Sequence, residues 1–387
     1  MIDKLILGLF SLALFVSPFH FFGSSLPQVA DYITIIAVAL VFINYRVREI
    51  FNYSAVRALV YYVFLVFVIN LAGFGLNLHS KTNYYFFLST IYYVYNFLVF
   101  ISFLAILKRL DKVCIDLFAF IVFATLSFQF LLGLSSSIGI QKPQFRNTLY
   151  FNNPNQLGYF AILFFSIFAV LPSRLRSNKL FVLTAFSFAS YLILISASRA
   201  AYGSTILVAA IIVSKESFKL KVSSMILLSL FGVFAFYVIN NNRFVSAQID
   251  RIGKRTETES SPGKTVLKER GYDRFIQYPE LAILGAGEGA FDRFTKTYHS
   301  GEVHSGLANV LFSYGILGLI LFIRFFYFII KSKPVSNLAT FLPILIFNLA
   351  HQGMRVTHFW ILLCLIYFIS EKEIYLNRNS MKHGEIK

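Results

Sequence analysis

Apolar runs long enough to cross a bilayer recur along the whole chain, and they constrain its fold more than any single motif does. A helix needs roughly 20 apolar residues to span the hydrocarbon core, and in lipid only a helix or a closed barrel satisfies its own backbone. Twelve runs can be read, at 5–22, 29–45, 56–77, 84–107, 113–134, 155–173, 180–197, 199–214, 222–239, 305–330, 338–353 and 356–370. The eighth is short, and the two around Ser198 nearly touch. With 57% hydrophobic and 14% charged residues and a mean hydropathy of +0.68, the chain lies outside the range of ordinary soluble domains. The expected fold class is an all-α polytopic integral membrane protein with about 12 transmembrane helices. Helices one to nine fill 1–239, a large polar loop fills 240–303, three more helices fill 305–370, and 371–387 form a tail.

A formal charge of +17 invites a nucleic-acid reading, and the positions of the charges argue against it. With the amino terminus inside, cations fall repeatedly in cytoplasmic segments: Lys4; Arg46, Arg48 and Arg57; Lys108, Arg109 and Lys112; Arg174, Arg176 and Lys179. The series continues through Lys215, Lys219, Lys221, Lys331 and Lys333 into a tail with Lys372, Arg378, Lys382 and Lys387. The short outer segments hold only Lys81, Lys142, Arg146, Arg199 and Arg355. This is the positive-inside pattern, and it places both termini in the cytoplasm and the large loop outside. The stretch from Leu5 to Val16 has the length of a signal-peptide core, but Asp3 weakens the charged start and no small-residue cleavage site follows. It is read as the first helix.

Several chemistries find no support. Cys114 and Cys364 are too few and too badly placed for a disulfide framework or a metal cage. No His/Cys/carboxylate cluster has zinc-like spacing, and no glycine-rich nucleotide loop occurs. The expected chemistry therefore uses no metal and no cofactor.

The large loop holds ten basic and nine acidic residues, so it is nearly neutral. Residues 251–264 read as flexible. Residues 265–278 read as a helix ending at Pro279, with Arg270 and Arg274 four apart and hence on one face. A glycine-rich turn, Gly285-Ala286-Gly287-Glu288-Gly289, leads back to the membrane.

Unusual chemistry gathers at the outer ends of three spans. Asn153-Pro154 is a good helix start, an N-cap followed by N1, and Ser198 can cap the next such helix. His304 marks the third. Helix N-termini attract anions, and a cation in the first turn opposes the helix dipole. Arg199 is thus poorly placed for stability and well placed for a phosphate, which its planar fork suits. The competing explanation is that Arg199 snorkels to lipid headgroups, as Arg324 is expected to do. Arg270 and Arg274 can equally be a solvated helix face. From His304 the chain reads His-Ser-Gly-Leu-Ala-Asn-Val-Leu-Phe-Ser-Tyr-Gly-Ile-Leu-Gly. A histidine at a membrane boundary can exchange protons near neutral pH, or it can simply cap the helix.

Arg146 through Asn155-Gln156-Leu157-Gly158, the Ser198-Arg199-Ala200 turn, Glu269-Arg270-Gly271-Tyr272-Asp273-Arg274, Gly285–Gly289 and His304–Gly318 occur in this order. Over about residues 140–325 this arrangement resembles bacterial O-antigen polymerases, within the O-antigen ligase/polymerase superfamily of lipid-linked glycosyltransferases. The resemblance implies a GT-C-like bundle in the bacterial inner membrane and a metal-independent transfer at its periplasmic face. The donor would be an undecaprenyl-pyrophosphate-linked oligosaccharide and the acceptor another lipid-linked repeat unit. It assigns Arg199 and Arg270 to the pyrophosphate, with Arg146 and Arg274 beside them, and His304 to the acceptor proton. Asn155 and Ser305 join as substrate-contacting residues, and membrane lipid and a chain-length regulator protein as partners. His299, His351 and His358 are rival bases. Tyr272, Phe291 and Tyr298 either stack on sugar rings or pack.

An O-antigen ligase, which passes the glycan to lipopolysaccharide core, shares donor and mechanism and fits the same motif. A flippase for the same lipids belongs to another class. Such carriers bind at the bilayer midplane and often show related halves, whereas here the polar residues gather at one boundary.

Overall fold

The computed structural model describes residues 2–23, 26–110, 112–138, 147–214, 266–298, 301–331 and 334–384. Among the described residues all regular structure is helical. The long helices are α1 (Ile2–Val16), α2 (Val29–Asn44), α3 (Ser54–Leu76), α4 (Tyr85–Leu107), α5 (Lys112–Ile138) and α6 (Pro154–Val170). After the short α7 (Arg174–Ser177) come α8 (Lys179–Ser196) and α9 (Arg199–Ser214). The loop contributes the short α10 (Val266–Glu269), α11 (Arg274–Gln277) and α12 (Pro279–Leu284). The chain then forms α13 (Gly306–Ile330), α14 (Pro334–Ala350) and α15 (Thr357–Gly384).

Among the described residues, five helices are long and apolar enough to cross a membrane: Ser54–Leu76, Tyr85–Leu107, Lys112–Ser136, Lys179–Ser196 and Gly306–Ile330. Val29–Asn44, Pro154–Val170, Phe341–Ala350 and Thr357–Glu371 are apolar but shorter. The architecture is that of a polytopic helical membrane protein. The span expected at 222–239 lies outside the described residues. The first helix stops at Val16, two residues before Pro18, and does not run to 22. The last one continues through the expected tail to Gly384.

The helices alternate in direction as the charge pattern requires. At one end, the His20 amide donates to the Tyr150 carbonyl at 3.1 Å, Asn147 to Ile195 at 3.1 Å, Ala290 to Thr82 at 3.0 Å and Gly306 to His351 at 3.2 Å. At the other end lie cations: Lys108 sits 4.3 Å over the Tyr53 ring, Arg109 4.4 Å over Tyr45, and Arg174 pairs with Asp116 at 3.6 Å.

The loop does not rest on top of the bundle. Gly315 has φ +67° and ψ −172°, breaking α13 one third of the way along, a conformation open to glycine because it has no Cβ. A Cβ there would overlap the Ile283 carbonyl, and one on Gly285 would meet the Ser313 carbonyl at 2.9 Å. The break frees two helix carbonyls. Phe312 accepts from the Ala286 amide at 2.9 Å and Ser313 from the Gly287 amide at 2.7 Å. The glycine-rich turn therefore docks on α13 by backbone pairing and reaches down into the bundle.

Candidate functional site

Three helix starts meet at the loop end of the bundle. Asn153 caps α6, accepting from the Gln156 amide at 3.0 Å, and Pro154 occupies N1. At α9 the expectation is corrected: the Ser198 hydroxyl is buried without a hydrogen-bond partner, and the chain turns instead through Ala197 in the left-handed region at φ +47°. At α13 the cap is Ser305, whose hydroxyl accepts from the Ala308 amide at 3.4 Å and donates to the Asn348 carbonyl at 3.4 Å. His304 stands one residue outside the cap, so the reading of His304 as the cap is overturned.

The end of α14 ties these starts together. Asn348, buried, donates to the Tyr159 hydroxyl of α6 at 3.0 Å and accepts from the Gly353 amide at 2.9 Å. The Tyr159 ring stacks on Phe347 at 4.3 Å. The Ser204 hydroxyl of α9 donates to the Pro343 carbonyl at 2.7 Å, and α9 and α14 run antiparallel. Arg199 lies five residues before Ser204 and Asn348 five residues after Pro343, which in an antiparallel pair brings the start of α9 to the level of the Asn348 hub.

Arg199 and His304 are half-buried. The His304 amide donates to the Arg270 carbonyl at 2.9 Å. The Arg270 guanidinium donates to the Ala350 carbonyl at the end of α14, where the helix dipole favours a cation. Asn155 lies half-buried in the first turn of α6. Arg146 lies outside the described residues, as does His299. His351 is half-buried against the Phe347 ring, and His358 faces the Phe164 ring at 5.1 Å.

Arg270 and Arg274 do not share a helix face. Gly271 at φ +75° breaks the expected helix between α10 and α11, and Pro279 begins α12 where an end was expected. Arg274 points inward and is 1% exposed. Its guanidinium lies 4.5 Å from the Phe294 centroid and 5.8 Å from that of Phe312, and donates to the Gly301 carbonyl. Arg293 covers Phe294 at 4.6 Å. Burial lowers both arginines to a pKa of about 10. Phe291 is buried in the same small core, the Tyr272 hydroxyl donates to the Leu349 carbonyl at 3.2 Å, and Tyr298 is exposed.

Sequence reading missed a second polar group beside this one. Glu288, 0% exposed, is carried into the bundle by the docked turn. Its amide donates to the Asn70 side chain at 2.9 Å, and its carbonyl accepts from Ser89 at 3.3 Å. Its carboxylate accepts from Asn309, from the Tyr93 hydroxyl at 3.4 Å and from Arg355 at 3.1 Å. Arg355 also pairs with Glu302 at 2.6 Å. Burial disfavours the Arg355 charge, but Glu302 and Glu288 more than offset this and hold the guanidinium above its ordinary range. Gln352 donates to the Val303 carbonyl at 2.7 Å. Glu302, Val303 and His304 are thus fastened one after another, by Arg355, Gln352 and the Arg270 carbonyl. The available signal was a lone carboxylate among glycines and a lone outer cation ahead of the last helix.

Residues 184–323 match the family model described as O-Antigen ligase. Over that stretch the chain is similar to O-antigen ligases. No curated protein matches the chain significantly. The matched stretch contains Arg199, Arg270, Arg274, Glu288, Glu302, His304 and the Gly315 break. The O-antigen ligase-like region does not reach Asn348, His351 or Arg355, which complete the site from α14 and the turn after it.

Proposed function

We propose that this chain is an O-antigen polymerase, a glycosyltransferase that moves a glycan from undecaprenyl pyrophosphate onto a sugar hydroxyl of another lipid-linked repeat unit. It does so at the periplasmic face of the inner membrane, with both termini in the cytoplasm. The observation that carries this reading is the pairing of His304 with the Arg270 backbone, and of Arg270 with the end of α14, where Asn348 also ties in the starts of α13 and α6. Arg199 starts α9, which packs on α14 through Ser204. The acceptor hydroxyl attacks the anomeric carbon, and His304 takes its proton. The bond from that carbon to the phosphate oxygen breaks, and the pyrophosphate leaves with the electron pair. Arg199 and the α9 N-terminus stabilise the charge that develops there, with Arg270 on the His304 side. Arg146 is a further candidate on the donor, as is Asn155 at the α6 start. Arg274, walled in by rings, holds the loop, and the Ser305 hydroxyl holds the start of α13.

The ligase reading has its own support in the description of the matched family. One assay separates the two. Protein in nanodiscs with lipid-linked repeat units alone gives a ladder of longer glycans if it is a polymerase. Product that forms only when lipopolysaccharide core is added makes it a ligase. Absence of product from both mixtures, with lipid moved between leaflets, makes it a carrier and ends the enzymatic reading.

A further inference from the structure

The short helix α12 has an apolar side that no described residue covers. Ile283 and Leu284 are 60% and 73% exposed, while Leu281 on the other side packs into the loop core. An isolated helical turn in water gains nothing from such a face. Its position explains it.

The carbonyl of Ile283 lies against Gly315, nine residues below the start of α13. At ~1.5 Å per residue this is about 13 Å along the helix axis. The whole of α13 is 25 residues, roughly 37 Å at the same rise, against a hydrocarbon core of about 30 Å. A centred α13 thus overhangs the core by only a few ångströms at each end, and Gly315 lies well inside it.

The surface of α13 agrees. Below the break it shows a lipid-facing stripe, Ile316, Leu317, Ile320 and Ile323, all about half-exposed. Above the break α13 exposes no large hydrophobic residue, and the exposed Ile283 and Leu284 belong to the segment whose backbone lies against Gly315, next to Ile316 and Leu317. Within α12 the polarity is graded: Pro279 and Glu280 open it and Ile283-Leu284 close it at the deep end. Non-helical backbone is tolerated at membrane depth only where its polar groups are paired inside the protein. The amides of Ala286, Gly287 and Glu288 all are, to Phe312, Ser313 and Asn70.

We propose that residues 279–290 form a re-entrant segment, with Ile283 and Leu284 in contact with the acyl chains of the bilayer. The loop then enters the hydrocarbon beside α13, turns at Gly285, and returns through the bundle interior by way of Glu288. This rests on α13 spanning the membrane and does not depend on the transfer reaction.

The test uses the full chain with Cys114 and Cys364 replaced by Ala and single cysteines at Ile283→Cys, Leu284→Cys, Ile320→Cys and Tyr298→Cys. Ile283 and Leu284 have exposed side chains, so these changes leave the packing intact. Each protein is labelled with a small fluorophore, placed in nanodiscs and quenched either by phospholipid carrying a nitroxide on its acyl chain or by aqueous iodide. The expected result is loss of fluorescence at 283 and 284 with the nitroxide lipid, matching Ile320→Cys, and protection from iodide, unlike Tyr298→Cys. Iodide quenching at 283 and 284 comparable to Tyr298→Cys overturns the proposal, as does absence of quenching by the nitroxide lipid.

Discussion

Arginine is used in two opposite ways at the loop end of this protein. In the loop core, Arg274 and Arg293 lie on the same Phe294 ring and donate to the carbonyls of Gly301 and Ala286. At the helix ends, Arg199 and Arg270 are half-buried, beside the start of α9 and the end of α14. The first pair is spent on holding a loop together, because a cation stacked between rings has its faces occupied. The second pair stands where helix-terminal dipoles and polar side chains converge. Charge alone does not make an anion site, and the difference lies in what walls the guanidinium.

The largest effect expected from a single change is at His304. His304→Asn should lower transfer about 100- to 10,000-fold, the range of a general base, while the melting temperature stays near wild type because Ser305 supplies the cap. Normal rates from a well-folded His304→Asn protein move the base to His351 and erase the functional half of the comparison.

Arg355→Gln comes next and acts on stability. It leaves Glu288 charged and buried without its cation, a loss of about 3–5 kcal/mol for breaking a buried pair. Denaturant unfolding in detergent reads this directly. An unchanged midpoint means that water reaches Glu288 and the cluster is not a fastening.

The third prediction sets the two arginine classes against each other. Arg199→Ala should cost roughly 100-fold in rate, the scale of one transition-state donor, with unfolding unchanged. Arg274→Leu should do the reverse, losing about 2 kcal/mol of stability from an orphaned carbonyl and a lost ring contact with turnover preserved in the folded fraction. If both variants fail in the same measurement, the division between holding and binding arginines collapses.

The smallest effect is at Ser305. Ser305→Ala removes one cap and should cost about 1 kcal/mol, read as a modest shift of the same unfolding curve. A cost several times larger points to a contact with substrate or partner beyond the cap.

Much of the fold was legible because apolar length and cation placement are properties of composition along the chain. The runs at 180–197 and 199–214 are found as α8 and α9, and the Asn153-Pro154 start is found as read. What was not legible depended on contacts between distant segments. Periodicity places Arg270 and Arg274 on one helix, and it cannot see Gly271 taking a positive φ so that each guanidinium meets a different partner. The spacing of His304, Gly315 and Gly318 is visible in sequence, yet its reason is not: Gly315 opens α13 for a turn formed some thirty residues earlier. Glu288 and Arg355 were passed over because a pair separated by 67 residues leaves no local pattern.

The break at Gly315 also orders the assembly of the molecule. A chain is made from its amino terminus, so the turn at Gly285–Gly289 emerges before the helix whose carbonyls it must pair with. Asn70 and Ser89 are already in the membrane at that moment, but Phe312, Ser313 and Arg355 are not. Until α13 has inserted and α15 has begun, the turn has half a socket and a carboxylate with no cation. The site can therefore close only after Arg355 has been made, and a truncated chain that ends before it is left with an open one.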